Sequence, residues 1–103
     1  MQALDLIICA MTAASAATAS EAAKGKEIFY QCSYCHNSET DAVKTGPSLK
    51  GLFSRAALVN GKPVTEANVR NLIEEGGGNG MPGYKNVMSE AAREALIAYL
   101  KSL

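Results

Sequence analysis

The stretch Cys32-Ser33-Tyr34-Cys35-His36 constrains this chain more than any other, because it holds the only histidine and two of the three cysteines. On a helical turn positions i, i+3 and i+4 share a face, so Cys32, Cys35 and His36 project together. Two thiols followed at once by an imidazole form the pattern of covalent haem attachment of the c type. Each thiol can bond one vinyl edge of a porphyrin while the imidazole reaches under the ring to the iron.

Other chemistries of a Cys-x-x-Cys pair fit less well. A dithiol redox motif follows a strand and opens a helix whose positive end lowers the thiol pKa. Here the residues before Cys32 carry a helical pattern that the pair closes. A structural zinc site takes about four ligands, and only Cys9 and carboxylates remain to complete one. The chain's 103 residues make one domain, and a domain this small is marginal on its own core. Apolar residues reach 48%, yet aromatics are only 6% and tryptophan is absent, so a bound macrocycle would supply the missing bulk. Ten basic residues balance ten acidic ones, which argues against an electrostatic grip on nucleic acid.

Residues 1–19 differ from everything after them. Leu4 to Ala19 is almost wholly Leu, Ile, Ala, Met and small hydroxyl residues, with Asp5 as its only charge and Ala17-Thr18-Ala19 at its end. That is the apolar core and small-residue cleavage site of a secretory leader, although no Lys or Arg precedes Lys24. The stretch is short for a bilayer span. The expectation is a leader or upstream segment over 1–19, with Cys9 as filler, and a domain over 20–103 without stable membrane insertion.

Ser20 is expected to cap a helix through Glu21, Ala22, Ala23, Lys24, Lys26 and Glu27. Gly25 weakens such a helix relative to alanine, so a close helix crossing is the expected reason for it, with Phe29 on the same face. Thr65 caps a second helix buried through Val69, Leu72 and Ile73 and ended by Gly76. Ser89 caps the last, Glu90 to Leu103, in which Ala92, Leu96, Tyr99, Leu100 and Leu103 recur at spacings of three and four. Glu90 and Arg93 are placed to pair across one of its turns. With no alternating run of β-branched residues, the fold is expected to be all-α, about three to four helices wrapped around one ligand.

Two loops remain. In Val43 to Phe53, Pro47 fixes the backbone and Gly46 and Gly51 allow tight bends, while Leu49, Leu52 and Phe53 need an apolar surface to cover. A haem edge or a satellite core cluster would serve, and Arg55 just beyond would meet a propionate or solvent. Residues 78–83 fit G-x-G-x-x-G literally, but no strand precedes them and Pro82 sits where a nucleotide-binding helix would begin. A glycine-rich loop lying close to a flat ligand and presenting Met81 to it is the better reading. A thioether is a soft, uncharged ligand suited to iron opposite an imidazole. The rival Met88 stands just before the last helix and is expected in the core.

Taken in order, these residues resemble class I cytochrome c over residues 22–103. The likeness is carried by Gly25-Lys26-x-x-Phe29-x-x-Cys32-x-x-Cys35-His36, by Gly46-Pro47-x-Leu49-x-Gly51-Leu52-x-x-Arg55, by Gly80-Met81-Pro82-Gly83-Tyr84 and by Leu96-x-x-Tyr99-Leu100. The resemblance implies one covalent haem c, thioether bonds at Cys32 and Cys35, and iron ligands His36 and Met81. It also implies that the Pro47 carbonyl accepts the other ring proton of His36, that Leu49 and Arg55 lie at the haem and its propionate, and that Gly25 crosses the last helix near Leu96 and Tyr99. With both axial positions filled by protein atoms the iron can only cycle between ferrous and ferric states, so the implied function is one-electron transfer rather than enzymatic catalysis. The implied setting is a monomer in a periplasm or equivalent compartment, working between an unidentified redox protein donor and acceptor. The alternatives are a haem module of a larger respiratory or dehydrogenase complex, and a haem sensor or peroxidase with a displaceable Met81. The tryptophan and lysine-rich docking face of mitochondrial members are missing, so neither the propionate contacts nor the partner carries over.

Overall fold

Alanine, glutamate and lysine make the first described helix, α1, which covers residues 19–28 and tightens into a 3-10 turn at Phe29–Gln31 just before the cysteine pair. The computed structural model describes residues 19–77 and 80–103, so the apolar stretch through Thr18, with Cys9, and the Gly78-Asn79 pair lie outside the described residues. Ser20 is inside α1 and not its cap, since Ala19 is already helical. After a short 3-10 turn at Leu52–Ser54 come α2, Glu66–Glu75, and α3, Glu90–Lys101. Among the described residues the only pairing of extended backbone is an isolated bridge between Ala57 and Pro63, so the fold is all-α as the sequence predicts. No described helix is long and apolar enough to cross a membrane.

Local chemistry sets the ends of the later helices. Thr65 accepts from the Asn68 N–H and Ser89 from the Ala92 N–H, both at 3.1 Å. Each cap satisfies a donor that the first turn leaves free, worth about 1 kcal/mol. Gly76, with φ at 93°, ends α2 in a conformation that side chains resist.

Helix α3 is the hub. Gly25 is buried against it, and a Cβ there would strike the Ala95 carbonyl oxygen and come within 2.7 Å of the Tyr99 Cβ. The crossing expected near Leu96 and Tyr99 therefore falls at Ala95 and Tyr99. One turn on, the Phe29 and Tyr99 rings pack with centroids 5.4 Å apart. Because α3 also packs on α2 and on the 3-10 turn at Leu52, it needs a wider apolar arc than one stripe. Ile97, outside the expected stripe, is accordingly fully buried, and Leu96 is 2% exposed. Leu52, Met88, Val69 and Ile73 join this core and Leu49 and Phe53 pack against it, but Leu72, expected in the buried stripe of α2, is only half-buried and lies outside it. Arg93 does not pair with Glu90: its Nε lies 3.1 Å from a carboxylate oxygen of Glu74 on α2, since the guanidinium is turned inward and Glu90 is exposed.

Candidate haem-binding site

The Cys-x-x-Cys-His turn is built by its own backbone. The N–H groups of Cys35 and His36 both donate to the Cys32 carbonyl, at 3.1 and 3.0 Å, which closes a helical turn and sets the two thiols and the imidazole on one side. The loop that follows folds back onto this turn. Gly46 N–H donates to the Cys35 carbonyl at 2.7 Å, Leu49 N–H to the Asn37 carbonyl at 2.8 Å, and Lys44 Nζ to the Ser33 carbonyl at 2.8 Å.

That return path orients His36. Its Nδ1 lies 2.7 Å from the Pro47 carbonyl oxygen. A carbonyl only accepts, so Nδ1 carries the proton and the lone pair of the neutral ring is left on Nε2. Gly46 lies against the ring face: a Cβ there would collide with the ring Cε1 and come 2.8 Å from Nδ1. The sequence marked Gly46 for a bend, but its nearer constraint is this flat contact.

Cys32 is half-buried and Cys35 exposed, and both are free thiols. Burial, and then the charge of Cys35, pushes the Cys32 thiol above its ordinary range. The Tyr84 phenol is raised too, by burial first and then by the charges of Cys32 and Cys35, and both Tyr84 and Cys32 pack against the apolar core. The sequence gives Tyr84 no place in the core, because only the folding of the chain brings it there. Met81 itself is half-buried, and its carbonyl accepts from the Gly77 N–H at 3.2 Å.

Leu49 is half-buried against the apolar core, while Arg55 is exposed and donates to the Lys50 carbonyl at 2.8 Å. The donor types suit a c-type haem: two free thiols on one turn, an imidazole whose Nδ1 is engaged by Pro47 so that Nε2 is left to bind, a glycine packed against that ring, and a half-buried thioether at Met81, whose sulfur lies against Gly77. Among the described residues no group of three or more His, Cys, Asp or Glu side chains gathers, so zinc finds no ligand set there.

Comparison with known proteins points the same way. A family model described as Cytochrome c matches residues 22–103. The chain is 40% identical over 65 residues to a cytochrome c2 of Blastochloris viridis, covering 61% of this chain and 50% of that protein. It is 36% identical over 86 residues to a cytochrome c6 of a Synechocystis species, covering 82% of this chain and 67% of that protein. The matched stretches thus take in from half to two thirds of these relatives' length.

Proposed function

Because the chain belongs to the cytochrome c family and carries one covalently bound haem c, we propose that it is a one-electron carrier with a closed His/Met coordination. The observation that carries this is the 2.7 Å contact from His36 Nδ1 to the Pro47 carbonyl, which leaves Nε2 as the free lone pair on the motif turn. When bound, haem supplies a ferrous–ferric couple. Cys32 and Cys35 hold it through thioethers, Pro47 fixes the tautomer and tilt of His36, and Gly46 keeps the ring face clear. Met81 would hold the iron together with His36, and with both protein ligands in place the haem would supply electron transfer and not the transformation of a substrate. Its uncharged sulfur favours the ferrous state and so a positive potential. Leu49 covers part of the haem and Arg55 neutralises a propionate. The protein works as a monomer between redox protein partners in a periplasm or equivalent compartment, where thioether attachment takes place.

The visible spectrum and redox titration of the purified protein test this. The expected result is a Soret band, a weak red-end sulfur-to-iron band in the ferric form, a positive midpoint, and no carbon monoxide binding to the native ferrous form. A colourless protein with the mass of the bare polypeptide overturns the whole reading. Carbon monoxide binding without denaturant overturns the closed site and favours a sensor or peroxidase.

A further inference from the structure

Met81 sits inside a long connection between α2 and α3, so its position must be fixed by something other than the helix that carries it. Part of the answer is the C-terminal turn of α2, whose last carbonyls have no helical partners. Tyr84 N–H donates to the Ile73 carbonyl at 2.8 Å and Lys85 N–H to the Glu74 carbonyl at 3.2 Å, laying the connection over the helix end. The other part is Arg93. Its Nη1 donates to the Met88 carbonyl at 2.7 Å and to the Lys85 carbonyl at 3.2 Å, while its Nε lies 3.1 Å from a Glu74 carboxylate oxygen.

The Arg93 side chain is 11% exposed and that of Glu74 22%. The Nε contact lacks hydrogen-bond geometry, and Nε is buried without another partner. Glu74 therefore holds Arg93 by charge, at a depth where screening by water is weak, and Nη1 supplies the direction. One side chain on α3 thus joins the end of α2 to the returning limb of the Met81 segment.

We propose that Arg93 is a positioning residue for Met81, setting how readily the sixth iron position opens; this rests on the His/Met coordination proposed above. Arg93 touches neither haem nor iron. Without it the Lys85 and Met88 carbonyls lose a donor and the Glu74 carboxylate its countercharge, and the segment gains by moving towards water. The histidine side keeps its own bonds, so the haem stays attached and only the methionine side loosens.

The experiment uses the purified holoprotein with Arg93→Ala, Arg93→Lys, Glu74→Gln and Arg70→Ala. Imidazole is titrated into the ferric form while the red-end sulfur-to-iron band is followed, and hydrogen exchange is measured at the Tyr84 and Lys85 amides. Arg93→Ala should tighten apparent imidazole binding by about tenfold or more, the scale of one lost charged hydrogen bond, and speed exchange at both amides. Arg93→Lys should be intermediate, because an ammonium cannot span the same three acceptors. Glu74→Gln should shift less than Arg93→Ala, since the Nη1 bonds remain. Arg70→Ala removes the 2.9 Å pair with Glu94 that also joins α2 to α3 but lies off the Met81 segment, so it should leave imidazole binding unchanged.

Wild-type imidazole affinity in Arg93→Ala, or an equal shift in Arg70→Ala, overturns the proposal. If Arg93→Ala yields no folded protein, the same criterion applies to Arg93→Lys. A wild-type protein with no red-end band overturns Met81 ligation itself, and the role of Arg93 at iron falls with it. Amide exchange then separates the two failures, since it reports the clamp on the segment whether or not sulfur meets iron.

Discussion

The histidine side and the methionine side of the proposed haem pocket are held by different kinds of contact. Between Cys32 and Leu49 the ties run within one loop that folds back on its own turn: Cys32 to His36, Cys35 to Gly46, His36 to Pro47, Asn37 to Leu49. The Met81 segment instead leans on Ile73 and Glu74 of one helix and on Arg93 of another. A loop bonded to its own turn can survive when distant packing fails, whereas contacts assembled from two helices are lost when either moves. The difference predicts that methionine is the ligand that lets go first, with histidine and the thioethers keeping the haem in place.

The largest test removes the frame under both sides. Gly25→Val drives a branched side chain into the Ala95 carbonyl and the Tyr99 Cβ, so the two helices must move apart to admit it. Overpacking at a backbone contact should cost about 3 kcal/mol or more, read as a lower denaturant midpoint. Both sides should fail together, because α1 carries the motif and α3 carries Arg93. If the red-end band alone disappears, the crossing supports only the methionine side and the comparison needs redrawing.

Gly46→Ala should act on the histidine side alone. Its methyl would collide with the His36 ring, and the loop must shift to relieve it. The expected loss is about 1–3 kcal/mol in denaturation of the holoprotein, with the His36 ring signals displaced in the ferrous proton NMR spectrum. The Met81 methyl resonance should hold its place. A displaced methionine with an unmoved histidine would reverse the assignment of this glycine.

Thr65→Ala attacks the methionine side from a distance. Removing the oxygen that accepts from Asn68 N–H weakens α2 by about 1 kcal/mol. Because Ile73 and Glu74 at the far end of α2 anchor the Met81 segment, the red-end band should be lost at lower denaturant than in wild type. The Soret transition should shift less. Coincident shifts would mean that α2 unfolds only with the whole domain.

What the sequence could announce follows the same division. Cys32, Cys35 and His36 are near neighbours on one turn, and the caps Thr65 and Ser89 act within three residues, so residue type and spacing suffice to place them. Gly25 could be marked as a crossing, but the choice of Ala95 over Leu96 as its neighbour depends on how two helices settle. Helical periodicity pairs Arg93 with Glu90 because it contains only their own helix, while the partners Glu74 and Lys85 come from elsewhere. Ile97 lay outside a single stripe because α3 is covered on several sides, and no window along one helix contains that information. Tyr84 on the core it shares with Cys32, and Gly46 against the imidazole, belong to the same class of non-local fact.

One bond on the histidine side breaks the pattern and gives the finest test. The Tyr99 hydroxyl, on α3, donates to Ser38 Oγ at 3.1 Å, a reach of 61 residues. Tyr99→Phe removes that tie while leaving the ring that packs on Phe29. If local closure secures His36, the loss should be no more than about 1 kcal/mol, the net worth of one neutral hydrogen bond, and the Soret and red-end transitions should keep their order. A cost well above that of Thr65→Ala, with the histidine side now melting first, would mean that the loop after His36 depends on α3 as much as the Met81 segment does. The hierarchy would then lie in covalent attachment, since both halves of the pocket would share one tertiary support.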